Sequence, residues 1–149
     1  MQMRMAESEQ KATADWHRVF FTHGGEDAYV VEHFLKPKVE RTGATVFVDI
    51  AQIDYGDNFR ELILGELSQC SELLVLLTPS SLRRPWVFAE IGACLARGIR
   101  IVAVTYGVTE EDLQRLGILS LLGPNNLLKI DSFDSYVLQL DRRVAEIKS

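Results

Sequence analysis

A tryptophan and a glutamate, four residues apart, are the side chains in this sequence whose types and spacing could line a chemical site. Trp86 and Glu90 occur in the stretch LRRPWVFAE, where Pro85 suits the first position of a helix because its missing N–H costs nothing there. Residues at i and i+4 lie on one face of a helix, so the indole and the carboxylate are expected to be neighbours. The strand-like run before this helix would direct its start at the carboxyl end of a sheet, where α/β folds bind ligands.

Strands and helices alternate along the chain on either side of this helix. Short apolar runs predict strands at residues 18–22, 45–49, 72–78, 99–106 and 126–130. Capping motifs and apolar residues at helical spacing predict helices at 26–42 (with a kink near Pro37), from Asn58 onwards, and at 85–97, 109–116 and 132–148. Such alternation requires crossover helices. We therefore predict an α/β fold, namely a flavodoxin-like three-layer sandwich with a five-stranded parallel sheet.

Length and composition indicate one globular domain. Of the 149 residues, 47% are hydrophobic and 25% are charged, which is an ordinary globular balance. We predict a flexible N-terminal tail over residues 1–15 and a single domain over residues 16–149. The net charge of −5 argues against a nucleic-acid partner, and no apolar run is long enough to span a membrane. Cys70 and Cys94 lie in apolar helical surroundings, which indicates buried thiols in a reducing compartment, so the expected location is the cytoplasm.

Several common catalytic motifs are absent from the sequence. It contains no P-loop, no G-x-G-x-x-G after the first strand and no G-x-S-x-G, and its histidines have no metal-ligand spacing, so no metal is expected. The polar side chains that remain as candidates for a site lie at or just after the ends of predicted strands. His23 follows the first strand, Asp49 ends the second, and Asp54 lies in the loop after it. Because the carboxyl ends of parallel strands meet at one edge of a sheet, we expect these residues to crowd the rim to which Glu90 belongs.

Four blocks of the sequence, in order, resemble the successive boxes of a bacterial-type Toll/interleukin-1 receptor (TIR) domain. The blocks are VFFTHGGED, TVFVDIAQIDYGDNFRELILGEL, ELLVLLTPSSLRRPWVFAE and IRIVAV. TIR domains are either assembly modules or enzymes that cleave NAD at the nicotinamide–ribose bond, and the enzymes carry a glutamate in a W-x-x-x-E arrangement on the third helix. The resemblance therefore implies that Glu90 is catalytic. The residues expected to bind substrate are Trp86, Phe21, Thr22, His23, Asp49 and Asp54.

The chemistry of NAD cleavage suits a single carboxylate. Loss of nicotinamide leaves positive charge on the ribose, and a nearby carboxylate can stabilise that charge or form a transient adduct. Nicotinamide is already a cationic leaving group, so no general acid is required. The expected products are nicotinamide and either ADP-ribose or a cyclic ADP-ribose isomer. NAD is then the substrate, and no cofactor is expected.

The resemblance also implies partners. TIR domains associate with one another, and the loop Ile50–Asn58 corresponds to the loop after the second strand through which they do so. Bacterial antiphage signalling is the usual setting of stand-alone relatives, with an effector that responds to the nucleotide product. The sequence departs from the family at Thr22, where serine is common, and at Tyr55, where proline often precedes the glycine. Thr22 keeps the hydroxyl, whereas with tyrosine at position 55 the loop is not expected to pack in the way that is usual for the family.

Other interpretations of the same residues remain open at this point. From its pattern alone, Glu90 is better explained as a solvated helix charge paired with Arg83 or Arg84, because most helix glutamates lie on the surface. The whole domain could be a non-catalytic assembly module. It could also be an enzyme like the nucleoside deoxyribosyltransferases, which share the fold type and use a glutamate nucleophile.

Overall fold

One parallel sheet organises the chain. The computed structural model describes residues 17–48, 65–123 and 126–148. The strands are β1 (Arg18–Thr22), β2 (Thr45–Val48), β3 (Glu72–Leu77), β4 (Arg100–Thr105) and β5 (Leu127–Lys129). All pairings are parallel, and the order across the sheet is β2-β1-β3-β4-β5. The predicted five-stranded parallel sheet is confirmed: β1 has the predicted bounds, and no end of another strand differs from its predicted position by more than one residue.

Helices connect the strands. They are α1 (Ala28–Val30), α2 (Lys36–Glu40), α3 (Pro85–Ala96), α4 (Glu110–Arg115), α5 (Ile118–Leu122) and α6 (Phe133–Lys148). Residues 65–69 are also helical, whereas the start predicted for that helix at Asn58 lies outside the described residues. The predicted tail, Asp49, Asp54 and the loop Ile50–Asn58 lie outside them as well. No helix in the described ranges has the length and apolar character that crossing a membrane requires.

The first helical connection is interrupted as the sequence predicts. A π-helical turn, Val31–Leu35, separates α1 from α2. Pro37 lies in the first turn of α2 and has no N–H to donate to the preceding turn. The wider turn accommodates the missing hydrogen bond and the proline ring while the backbone stays helical.

Two hydrophobic clusters fill the spaces on either side of the sheet. One cluster joins the sheet to α3, α4, α5 and the helical residues 65–69, and the other joins it to α1, α2 and α6. Successive strand residues enter opposite clusters, as Phe20 and Phe21 of β1 do, because side chains alternate across a strand. All six residues of β3 are buried, which is the pattern of a central strand covered on both faces. This three-layer arrangement confirms the predicted sandwich.

A buried ionic cluster stabilises the edge of the sheet at which β3 begins. The carboxylate of Glu72 accepts hydrogen bonds from His17 at 2.5 Å, from the Tyr136 hydroxyl at 2.7 Å and from Arg143 at 3.1 and 3.2 Å. Burial favours the neutral acid, but these hydrogen bonds and the charge of Arg143 outweigh it and lower the pKa of Glu72. Burial and the charge of Glu72 in turn raise the pKa of Tyr136. The cluster ties β3 to α6, far from the opposite rim.

Candidate active site

The local sequence explains where α3 begins. Arg84 has an extended backbone and precedes the helix, and Pro85 occupies its first turn. From that start, Val87, Glu90 and Ile91 face inward and are buried. Glu90 is only 1% exposed. The interpretation of Glu90 as a solvated surface charge is therefore wrong.

The carboxylate of Glu90 lies against the end of β1. The Thr22 hydroxyl donates a hydrogen bond to Glu90 Oε1 at 2.9 Å. Phe20 of β1 packs in the cluster beneath α3, and strand alternation directs Thr22 to that same face. Thr22 is the last residue of β1, so the carboxylate lies at the carboxyl rim of the sheet. A buried carboxylate needs such donors, because burial without them costs several kcal/mol.

The loop after β1 is shaped by its own hydrogen bonds. Nδ1 of His23 lies 2.5 Å from the carbonyl oxygen of Gly24, and since a carbonyl only accepts, the proton is on Nδ1. The carbonyl of His23 accepts a hydrogen bond from Arg84 Nη1 at 2.6 Å. His23 is buried, and these two hydrogen bonds, one of its ring and one of its carbonyl, fix its position. Through its bond to that carbonyl, Arg84 links the β1 loop to the start of α3.

A second link joins the same two loops. Oδ2 of Asp27 accepts hydrogen bonds from the Thr78 hydroxyl at 2.5 Å and from the Gly24 N–H at 3.3 Å. The backbone N–H of Thr78 donates a hydrogen bond to the Ser81 hydroxyl, and the backbone N–H of Ser81 donates one to the Thr78 hydroxyl. The loop that follows β1 and the loop that precedes α3 are thus held together by hydrogen bonds from Arg84 and from Asp27. Sequence reasoning missed Asp27, although its position three residues after a turn glycine is a cap signal.

Gly24 is required by the close approach of these loops. A β-carbon built at this position would lie 2.3 Å from Ser80 Oγ and 2.6 Å from the Ser81 backbone nitrogen. Both separations are shorter than real β-carbon contacts. At the adjacent Gly25, nothing lies within 4 Å of such an atom. The first glycine therefore allows contact between loops, while the second has no such role.

The structure brings some of the predicted site residues together and not others. Trp86 is half-buried and packs on the hydrophobic cluster beneath α3, one turn before Glu90. Thr22 meets Glu90, and His23 follows directly in the chain. Phe21 is not part of this site, because it points into the cluster on the other face of the sheet.

The arrangement is a buried carboxylate at the rim of the sheet that accepts a hydrogen bond from the Thr22 hydroxyl. Such a group can stabilise positive charge that develops on a bound substrate, since charges interact strongly where water is excluded. Across the described residues, no three or more His, Cys, Asp and Glu side chains are grouped in a way that could hold a metal ion.

The sequence and the fold of the chain are similar to those of known proteins. A family model described as the TIR domain matches residues 19–142. A protein of Bacteroides thetaiotaomicron named 2' cyclic ADP-D-ribose synthase BtTIR is 24% identical over 100 residues. That match covers 64% of this chain but only 35% of the relative, so the chain spans about a third of that protein's length.

Solved structures show the same fold. The TIR domain of the Toll-related receptor TRR-2 from Hydra magnipapillata has a TM-score of 0.62 and 20% identity, with 88% of this chain and 98% of that one covered. The TIR domain heterodimer of RPS4 and RRS1 has a TM-score of 0.62 and 19% identity, with 89% and 98% covered.

Proposed function

Because the chain belongs to the TIR domain family, we propose that it cleaves the nicotinamide–ribose bond of NAD, with Glu90 as the catalytic carboxylate. One observation carries this proposal. Glu90 lies buried at the carboxyl rim of the sheet, and the Thr22 hydroxyl fixes one of its oxygens at 2.9 Å. A helix glutamate with only a structural surface role would not be buried in this way.

The proposed mechanism follows from the charge of the carboxylate. As the bond between ribose and nicotinamide breaks, the bonding electrons leave with nicotinamide and positive charge develops on the ribose ring. Glu90 stabilises that charge, while Trp86 supplies an aromatic wall beside it. Water then adds to the ribose and loses a proton, which gives ADP-ribose. Attack by another part of the same nucleotide gives a cyclic isomer.

Burial of Glu90 adds a requirement to this mechanism. At 1% exposure the carboxylate cannot contact a ribose until side chains at the rim move apart. We propose that association between TIR domains favours the opened state, with the loop Ile50–Asn58 contributing to the contact. The heterodimer among the structural neighbours supports association as a property of such domains. An effect of this kind would make activity rise steeply with protein concentration.

The cellular setting that we propose is bacterial antiphage immune signalling in the cytoplasm. A separate effector protein would respond to the nucleotide product. The support is the resemblance to bacterial-type TIR domains and the relative whose name is that of a cyclic ADP-ribose synthase. Production of a signalling nucleotide, as opposed to simple depletion of NAD, would require cyclisation.

A non-catalytic assembly module is the second candidate. Tyr29 and Phe34 are 65% and 56% exposed, and their rings lie 6.0 Å apart on the first helical connection. Exposed aromatic side chains of this kind are enriched at protein interfaces. An assembly role and an enzymatic role can coexist in one domain, so activity has to be measured directly.

The test is an NAD cleavage assay on the full chain. Purified protein is incubated with NAD over a wide range of protein concentrations, with and without a crowding agent, and the products are separated by chromatography. We expect nicotinamide release that Glu90→Gln reduces by on the order of 10²–10³-fold. Glu111→Gln is the matched control, because Glu111 is an exposed glutamate on α4.

The possible outcomes separate the candidates. Release that survives Glu90→Gln would refute the residue assignment. No release at any concentration would leave the assembly module as the better proposal. Release of a base from a deoxynucleoside, but not from NAD, would favour an enzyme of the deoxyribosyltransferase type.

A further inference from the structure

A groove along α6 carries positive charge in a chain that is acidic as a whole. The groove lies between α6 and the neighbouring strands β4 and β5, and its volume is about 210 Å³. Arg100 and Arg143 line it, and the described residues around it include no carboxylate, although the net charge of the chain is −5. The other polar residues that line the groove are Asn126, Ser132, Ser135, Tyr136 and Gln139. The groove therefore favours an anion over a cation.

The alternation of β4 explains why Arg100 faces this groove. Val102 and Val104 pack in or against the cluster that joins the sheet to α6. Side chains two residues apart lie on the same face of a strand, so Arg100, the first residue of β4, lies on that face as well. Its partner in register on β3 is Glu72. A cation and a carboxylate are thus neighbours at the edge where both strands begin.

Glu72 has no capacity left to pair with Arg100. A carboxylate offers about four positions to donors. In Glu72 these positions are taken by His17, by the Tyr136 hydroxyl and, at both oxygens, by Arg143. The guanidinium of Arg100 is exposed, and within the described ranges it forms no ion pair and no hydrogen bond. Its charge is therefore available to a ligand.

Arg143 is held in one orientation beside the same groove. Its hydrogen bonds to described residues are made by Nη2 alone and go to Glu72 at 3.1 and 3.2 Å. Its guanidinium carbon also lies 5.9 Å from the centre of the Tyr136 ring. The side chain is 22% exposed, so Nη1 can donate to a ligand while the bonds to Glu72 remain. Because Glu72 fixes the guanidinium in advance, a ligand does not have to order this side chain.

We infer that the groove is a binding site for a phosphate group, held between Arg100 and Arg143. Guanidinium groups donate charge-assisted hydrogen bonds to phosphate oxygens in a geometry that fits them. Both arginines lie at the end of the groove where β3 and β4 begin, and the residues towards its other end carry hydroxyl and amide groups that can bond a sugar. The volume is below the roughly 300–1,000 Å³ of sites for drug-sized ligands. The expected occupant is inorganic phosphate or a small sugar phosphate.

This site is separate from the candidate active site. Glu90 lies at the carboxyl rim of the sheet, beside the last residue of β1, whereas Arg100 is the first residue of β4 and pairs in register with the first residue of β3. In a parallel sheet these positions lie at opposite ends of the strands. Phosphate binding at the groove is therefore independent of the proposed function, and it can be measured whether or not the chain cleaves NAD.

The test is titration calorimetry of the full chain at constant ionic strength. The probes are inorganic phosphate, ribose 5-phosphate and ribose without phosphate. We expect saturable binding of one phosphate group per chain and no binding of ribose. A higher affinity for ribose 5-phosphate than for inorganic phosphate would identify a sugar phosphate as the occupant, whereas equal affinities would identify the free anion. The absence of saturation at millimolar concentrations of both phosphates would overturn the proposal.

Charge variants separate the groove from unspecific attraction. Arg100→Gln should weaken phosphate binding by roughly tenfold or more, because it removes charge-assisted hydrogen bonds. The variant should fold normally, since the Arg100 side chain has no partner in the described part of the chain. Arg142→Gln is the matched control, because Arg142 is an exposed neighbour on α6 that does not line the groove. Equal weakening in both variants would overturn the proposal, since the effect would then depend on net charge alone.

Nuclear magnetic resonance of the labelled chain locates the bound phosphate independently. Phosphate should shift the side-chain amide signals of Asn126 and Gln139 and the Nε–H signal of Arg100. The indole N–H signal of Trp86, one turn from Glu90, should stay in place. A shift of the Trp86 signal without any shift at the groove would place the phosphate at the candidate active site and overturn the proposal.

Discussion

Removal of the Thr22 hydroxyl is the most direct test of how the candidate site is held together. Thr22→Val keeps the shape of the side chain but eliminates the donor that lies 2.9 Å from Glu90 Oε1. Both residues are almost completely buried, so water cannot take the place of the lost donor without a structural change. Hydrogen bonds to charged groups contribute about 1.5–3 kcal/mol to stability. We expect Thr22→Val to lower the free energy of unfolding by about 2 kcal/mol.

A double-mutant cycle separates this bond from other effects of the substitution. Glu90→Leu removes the acceptor, and in that background Thr22→Val should cost less than about 0.5 kcal/mol, because no bond remains to be lost. The expected coupling energy is then about 1.5 kcal/mol or more. In the same cycle, Thr22→Ser should retain the coupling, since serine keeps the hydroxyl and loses only a methyl group.

The assay is urea denaturation of the four proteins at neutral pH, followed by circular dichroism and by tryptophan fluorescence. Thr105→Val is the matched control, since Thr105 also ends a strand but donates only a long bond of 3.4 Å to Leu128. Its cost should be the same in both backgrounds. A cost of Thr22→Val that is equal with glutamate and with leucine at position 90 would refute the hydrogen bond as the element that orients the carboxylate. This cycle does not depend on any enzymatic activity.

Two further predictions concern the rim and the opposite edge of the sheet. Gly24→Ala should lower the free energy of unfolding by about 1–3 kcal/mol, because its β-carbon would lie 2.3 and 2.6 Å from atoms of the neighbouring loop. Gly25→Ala is the control and should have little effect. If urea denaturation gave the two variants the same free energy of unfolding, the close approach at Gly24 would be contradicted. Glu72→Gln should cost about 3 kcal/mol at pH 7. The pKa of Glu72 is lowered in the folded chain, so its contribution is present above the ordinary glutamate pKa and is lost as the pH falls through the lowered value. The difference in the free energy of unfolding between the unsubstituted chain and Glu72→Gln should therefore become smaller in acid. A difference that stays constant from neutral to acidic pH would show that the charge of Glu72 is not responsible.

The strands and most helices could be predicted because their signals are local. Continuous apolar runs such as β3, and the Thr109 cap whose hydroxyl accepts from Asp112 N–H at 3.1 Å, can be recognised within a few residues. The sequence analysis does not predict α5, because this helix has no such local signal. It is five residues long between Gly117 and Gly123, both with positive φ, and so short a segment shows no helical period.

The candidate site could be predicted only in part. The spacing of Trp86 and Glu90, together with the family resemblance, predicts Glu90 as the site carboxylate. Its burial could not be read from the sequence, because α3 is apolar on most of its circumference and no face is marked as the inner one. The bond between Asp27 and Thr78 joins residues 51 positions apart. A contact of that kind depends on how two loops meet in space, which a single sequence does not encode in any local pattern.

The hydrogen bond between Thr22 and Glu90 also has a consequence for the order in which the chain acquires its site. The two residues are 68 positions apart, and the pairing of β1 with β3 that brings them together spans more than fifty residues. Long-range parallel pairings close large loops and form slowly compared with local helices. A partly folded chain that has formed α3 but not the β1–β3 pairing would carry Glu90 without the hydrogen bond from Thr22. Assembly of the rim should therefore coincide with the slow pairing of β1 and β3 and follow the formation of the local helices.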